Sequence, residues 1–343
     1  MLDSVAGVTH PTTEERAAVP ADDSTDKPVS YYRDLGDGRW ESTRAVQGAW
    51  NEHEQHMAPV TGLLTRALLR HEARPGLRLA RIGCEILGLI PAGEFTIETT
   101  TVRPGRTIEL VQAEMIANGR PVVRATGWRL ATTDSTPVTG LTVDPLPGPD
   151  RAEPYPMTEK WGGGFIESLT GRVLPDHQPG RGRVWLTTDL PLVEGEKTGA
   201  LEHLMGMADA AIGVATRVHP AGGWIFPNVD LQLHLLREPV GAWLGLDVSV
   251  DFGPDGVGIT STVLHDETGP FGRSLQILTL REMPGAQQPT PEGRPLEHAW
   301  LKTGLSGPGR SIPAGGVPRR RSSSPARARS GRASPRAASA GGW

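Results

Sequence analysis

The chain has 343 residues, 37% of them hydrophobic, and a formal net charge of −4 at pH 7, which allows two globular domains of ordinary size. The charge is unevenly placed: residues 284–343 hold 10 Lys/Arg against 2 Asp/Glu, leaving 25 against 37 for residues 1–283, and so acidic a body is a poor partner for nucleic acid. One cysteine, Cys84, excludes an intrachain disulfide and a cysteine-based metal cluster, while the start of the chain has no basic region before an apolar stretch and no run approaches 18 apolar residues, so a cytoplasmic protein without a membrane span is expected.

Residues 1–29 are polar and proline-bearing, with Glu14, Glu15, Asp22, Asp23 and Asp26, and are expected to be a disordered lead. A first domain is expected over 30–135. It opens with a strand at Arg39–Val46 and a helix at Met57–His71, whose apolar positions Val60, Leu63, Leu64, Ala67 and Leu68 keep helical spacing. Strands are then expected at Arg78–Leu89, Glu94–Arg103, Thr107–Ala117 and Pro121–Ala131, with turns at Pro91-Ala-Gly93, Pro104-Gly105 and Asn118-Gly119, the last a strong hairpin signal. Cys84, between Ile82 and Ile86, reads as a small core residue.

Residues 136–182 read as an exposed linker rich in proline and glycine that ends in a short ordered stretch around Phe165–Leu174. Its triplet Gly162-Gly163-Gly164 precedes no expected helix and no lysine, so a phosphate loop is not expected there. The second domain is expected over 183–283: a strand at Arg183–Leu190, a helix of small and apolar residues at Leu201–Ala215, then strands at Asn228–Leu236, Ala242–Val250, Gly258–His265 and Phe271–Arg281. The two blocks share one order of parts. Pro91 and Pro239 end the first long strand of each, Gly119 and Gly269 precede the last, and that last strand ends at Leu130 or Leu280 after equal runs. A repeat of this length indicates a duplicated domain rather than a solenoid. Two antiparallel sheets, each covered by a helix, can join edge to edge and so protect their edges.

Asp209 is the one carboxylate in the apolar middle of the second helix, on a face with Met205, Gly206, Ile212 and Gly213. Two readings stand: an exposed edge of the helix, or a buried carboxylate that chemistry uses and whose proton affinity is raised by its surroundings. The first helix has no acid at the matching position. His53, Glu54 and His56 precede it and suit either helix capping or an alternative acid and base. In the strand after the second helix, Val229, Leu231, Leu233 and Leu235 alternate with Asn228, Asp230, Gln232 and His234. This places Asn228 on the face opposite the leucines unless a bulge intervenes. The polar stripe reads as a wet or interface face, and Asp230-x-x-x-His234 is a poor metal motif. Gln276 shares a strand face with Ser274, Leu278 and Leu280, which suits a buried amide bonded to backbone as well as a catalytic one.

A small-residue helix bearing an aspartate, then Phe226-Pro-Asn-Val-Asp-Leu231, then a last strand with Ser274-Leu-Gln-Ile277, resembles the type II (TesB-like) acyl-CoA thioesterases over roughly residues 31–283. That resemblance implies an α+β double hotdog fold, two tandem hotdog domains each with an antiparallel sheet wrapped around a central helix. It implies hydrolysis of acyl-CoA, with no cofactor and no metal, by a water held between a helix aspartate, a strand hydroxyl and a strand glutamine. These positions fall on Asp209, Asn228 and Gln276, with Asn228 departing from the family's hydroxyl. The compact Asp/His motif of hotdog hydratases is absent. The resemblance also implies a homodimer or larger homo-oligomer. A non-catalytic protein that binds acyl chains or acts as a scaffold is the alternative. Residues 284–343, with the low-complexity stretch Arg319–Arg336, read as a disordered, basic and solvated tail, with binding of RNA, an acidic surface or the phosphates of coenzyme A as the alternative. Deletion of 284–343 is expected to leave folding and hydrolysis nearly intact.

Overall fold

The computed structural model describes residues 28–49, 51–219 and 222–283; the expected tail and nearly all of the expected lead lie outside the described residues. The chain opens with a hairpin, β1 (Tyr32–Gly36) and β2 (Arg39–Ser42). The expected strand to Val46 stops at Ser42 because the Thr43 hydroxyl accepts the Ala45 N–H and starts a 3-10 turn over Arg44–Val46. Helix α1 (Met57–Arg70) begins at His56, whose Nδ1 accepts the Ala58 N–H at 3.1 Å. Four strands follow: β3 (Leu77–Ile86), β4 (Glu94–Arg103), β5 (Ile108–Ala117) and β6 (Arg120–Ala131). Asn118 and Gly119 both take positive φ between β5 and β6, as a two-residue hairpin turn of this hand requires.

The second half contains β7 (Glu153–Pro154), α2 (Gly164–Glu167), β8 (Leu169–Val173), β9 (Arg181–Thr188), α3 (Ala200–Met205), α4 (Ala211–Val214), β10 (Trp224–Ile225), β11 (Asp230–Leu235), β12 (Leu244–Phe252), β13 (Val257–Asp266), β14 (Gly269–Thr279) and β15 (Arg281–Glu282). Among the described residues, thirteen strands form one sheet in the order β1-β2-β4-β5-β6-β3-β11-β14-β13-β12-β9-β8-β7, and β10 pairs with β15 apart from it. Read outward from the β3–β11 junction, the order β3-β6-β5-β4-β2 on one side repeats as β11-β14-β13-β12-β9 on the other, which is the topology of a duplication. At the junction Ile82 lies opposite Leu233 and Cys84 opposite Leu231, all four buried. Edge-to-edge joining therefore makes a single sheet whose central strands are both paired.

Helix α1 packs on β3, β4, β5 and β6 and against α3, and α4 packs on β12 and β13. The contact between α1 and α3 is made through glycines. A Cβ on Gly62 would lie 3.0 Å from Gly206 Cα and from the Glu202 carbonyl oxygen, so the backbones approach more closely than side chains would permit. Here the structure departs from the single helix expected at Leu201–Ala215. Helix α3 ends at Gly206, Ala208–Ala210 form a 3-10 turn, and α4 resumes at Ala211.

The stretch read as a linker is exposed only over its first part. Residues 132–141 are exposed, whereas Tyr155, Met157, Trp161, Phe165, Ile166 and Leu174 are buried and β7 and β8 extend the sheet. The glycine triplet allows this docking. Gly163 has φ 102°, and a Cβ on Gly164 would sit 2.1 Å from the Arg44 carbonyl oxygen, so this segment lies directly on the backbone that leads into α1. At the far end of α1, the buried Arg129 of β6 donates to the Leu68 and His71 carbonyls and to Glu109 at 2.9 Å. It satisfies acceptors that a helix C-terminus leaves open.

Candidate active site

The break after α3 decides where Asp209 points. In the 3-10 turn the carboxylate faces inward and is 4% exposed, so the exposed-edge reading is excluded. Its Oδ1 accepts the Asn228 Nδ2–H and the Gln276 Nε2–H, each at 2.8 Å. Its Oδ2 lies 3.5 Å from His56 Nδ1. That nitrogen is already the acceptor for the Ala58 N–H, and burial pushes the His56 imidazole down to about 4. The histidine is therefore neutral at pH 7, and the contact is not an ion pair. Burial pushes the Asp209 carboxyl up to about 7, with the Asn228 and Gln276 hydrogen bonds opposing the rise. A group with this proton affinity changes state near neutral pH, as a general base must.

The structure brings all three expected residues together. Asn228 arrives by a bulge. It pairs with Leu278 while Gln232 pairs with Leu275, so three residues of one strand oppose two of the other, and the faces exchange between Asn228 and Leu231. Val229, expected among the buried leucines, is 41% exposed, and Asn228 turns inward. The bulge is braced on both sides: Val229 N–H donates to the Ile277 carbonyl at 3.0 Å and Asp230 Oδ1 accepts the Ile277 N–H at 2.7 Å. The second Asn228 N–H goes to the Asp230 carbonyl at 3.0 Å. Gln276, opposite Thr260 on β13, is buried behind the carboxylate.

Asp209 and Asn228 lie on the wall of a cavity of about 760 Å³, the size of a small-molecule site. Its wall includes the start of α1 (His56, Met57), the end of β3 (Ile86), the docked segment (Met157, Trp161), the turn after α3 and the stretch that carries Phe226 and Asn228. Trp161 and Phe226 meet edge to face with centroids 6.1 Å apart, and the His56 ring packs on Phe165 at 4.4 Å.

Of the alternative acids and bases, Glu54 and His56 reach the cavity, whereas His53 is exposed and does not line it. His56 is thus both the cap of α1 and a neighbour of the carboxylate, a double role that its place before a helix does not reveal. Met157 and Trp161 also escape a sequence reading, because no periodicity marks a buried irregular segment. Cys84 is the expected core residue: burial, and next the nearby Asp209, push its thiol up to about 12. Among the described residues no group of His, Cys, Asp and Glu suits a metal ion, and no helix is long and apolar enough to cross a membrane.

The first half carries a different arrangement at the corresponding place. At the same distance from its N-cap at which Asp209 follows Gly199, α1 carries Arg66. Its Nη2 lies 2.7 Å from Glu196 Oε1, and its guanidinium lies 4.8 Å above the Trp40 ring.

Comparison with known proteins adds the family. Residues 46–130 match the family model described as the acyl-CoA thioesterase N-terminal domain, and residues 149–280 match that of the acyl-CoA thioesterase C-terminal domain. Among solved structures, the acyl-CoA thioesterase II TesB2 from Mycobacterium marinum is 14% identical, with a TM-score of 0.56 over 75% of this chain and 97% of that one. A tesB protein of Mycobacterium avium subs. paratuberculosis is 13% identical, with a TM-score of 0.52 over 73% and 96%. A protein from Alicyclobacillus acidocaldarius described as having a hot dog fold is 14% identical, with a TM-score of 0.58 over 72% and 95%. At such identities the likeness is one of fold alone. No curated protein matches the chain by sequence.

Proposed function

Since the chain belongs to the acyl-CoA thioesterase family and is a thioester hydrolase, we propose that it hydrolyses acyl-CoA at the cavity beside Asp209, with that carboxylate activating the attacking water. The observation that supports this most is the division of labour between the two carboxylate oxygens. Oδ1 is held by two amide donors, which fixes the plane of the group, while Oδ2 faces His56, a neutral ring whose nearer nitrogen is occupied. Oδ2 is therefore the atom that takes a proton from water. The oxygen of that water bonds to the thioester carbonyl carbon, the C–S bond breaks on collapse, and the proton passes through Asp209 to the departing CoA sulfur. Acyl-CoA and water become a free acid and CoA, with no covalent enzyme intermediate.

The first turn of α1, where Met57 lines the cavity, offers a backbone N–H without an intrahelical acceptor to the developing oxyanion. In this reading each half-sheet wraps its helix as a hotdog domain, and the ion pair of Arg66 and Glu196 leaves one catalytic set per chain. The chain associates as a homodimer or larger assembly through its sheet surface, where Ile259, Leu275 and Ile277 are exposed. Light scattering that gives only the monomer mass at micromolar concentration would refute that last point.

The test is hydrolysis of a panel of acyl-CoA thioesters of differing chain length and branching. Release of free CoA with at least one of them is expected, whereas binding of acyl-CoA without turnover would favour the acyl-binding alternative. Two variants sharpen the result. Gln276→Ala removes one hydrogen bond to a carboxylate that becomes charged, a loss of roughly 1.5–3 kcal/mol, so kcat should fall by roughly 10- to 100-fold. Asn228→Thr keeps one donor near Oδ1 and restores the family's hydroxyl, so activity should be retained.

A further inference from the structure

Behind Asp209 the inner face of β13 and β14 is polar where a buried sheet face is ordinarily apolar. Thr260 lies opposite Gln276 and Thr262 opposite Ser274, and all four side chains are at least 96% buried. Thr260 Oγ1, Thr262 Oγ1, Ser274 Oγ and Gln276 Oε1 have no hydrogen-bond partner among the described residues. Each such group costs about 1–3 kcal/mol when left unpaired, so four in one strip call for a reason beyond packing. The duplicated half supplies the control. On β5 and β6, the strands at the same places in the sheet order, the buried pairs in the same registers are Val111 with Gly127 and Ala113 with Ala125, none with a hydroxyl, and the buried polar pair beyond them, Glu109 with Arg129, is joined by an ion pair. The hydroxyls occur in the half that holds Asp209.

We propose that Thr260 is a positioning residue for the hydrolysis: its hydroxyl, through a buried water that Thr262 and Ser274 help to hold, supplies the donor that Gln276 Oε1 lacks. The proposal rests on Asp209 as the base. A buried water needs two to four polar partners, and the strip provides them. The reason for such a device lies in the amide. Gln276 supports the ionised carboxylate only with Nε2 toward Asp209, because the flipped amide would set Oε1 against a negative oxygen. A donor on the Oε1 side favours the productive orientation before Asp209 ionises. Without it the flipped amide competes whenever Asp209 is protonated, since a carboxylic acid can donate to Oε1.

Thr260→Val keeps the shape and removes the hydroxyl. For the full chain kcat should fall about tenfold, the size of a single net hydrogen bond, with KM unchanged. The inflection of the rate against pH should move to higher pH, because the anion loses part of its support. The melting temperature should hold or rise, and Thr260→Ser should restore both the rate and the inflection. A purely structural hydroxyl would move neither. A Thr260→Val protein with wild-type kcat and pH profile, or one that Ser fails to restore, overturns the proposal. If Asp209→Asn is inactive while Thr260→Val is silent, only the role of Thr260 falls; if Asp209→Asn stays active, the assignment of the base falls with it.

Discussion

Replacing Asp209 with Asn should lower kcat by roughly 10²–10⁴-fold, the usual contribution of a positioned general base, while the protein stays folded. The new side chain keeps an oxygen where Asn228 and Gln276 donate and loses only the oxygen that takes the proton. In the wild type the rate should rise with pH through about 7 and level off above it, since the ionised carboxylate is the active form. The stability effect has the opposite sense. Burial raises the folded-state affinity of Asp209 for its proton, so the stabilisation is complete below the unfolded value near 3.9 and is lost as pH rises through the folded value. A rise from there to about 7 corresponds to on the order of 4 kcal/mol, and the Asn variant is free of this loss. Denaturant unfolding at pH 6 and pH 8 should show the wild type weakening relative to Asp209→Asn as pH rises. If the variant hydrolyses acyl-CoA at the wild-type rate, the base lies elsewhere, and Glu54 and His56 on the same cavity are the groups to replace next.

Arg129→Met should be the most damaging single change to the fold remote from the site. The guanidinium is 3% exposed, caps the carbonyls at the end of α1 and pairs with the buried Glu109. Among the described residues, its removal leaves those carbonyls without that donor and Glu109 with only Arg74, at 2.8 Å. Breaking a buried pair by deleting one partner costs about 3–5 kcal/mol, which for a domain of this size lowers the melting temperature by roughly 10 °C. A melting temperature within about 2 °C of wild type would show that Arg74 and solvent take over the role. Since α1 begins at the cavity, a milder loss of activity should accompany the loss of stability.

Much of this was legible in the chain itself. Local pattern determined α1, the order of the long strands β3 to β6, β9 and β11 to β14, the Asn118-Gly119 hairpin and the burial of Cys84, because alternation and helical spacing are properties of neighbouring residues and survive whatever they later pack against. The same pattern singled out Asp209 as a carboxylate out of place among small and apolar neighbours, and with the resemblance it selected Asn228 and Gln276. Tertiary structure decided what those residues do. The Gly62–Gly206 contact brings α3 against α1 where the expected helix breaks, and the turn that follows points Asp209 inward. A one-residue bulge opposite Ile277 turned Asn228 to the carboxylate against the alternation of its own strand. The docking of residues 155–166 on the backbone before α1 turned an expected exposed linker into cavity wall, and it set Phe165 against His56. Each of these outcomes depends on a contact between segments far apart in sequence, where steric fit and the pairing of buried polar groups outweigh local preference.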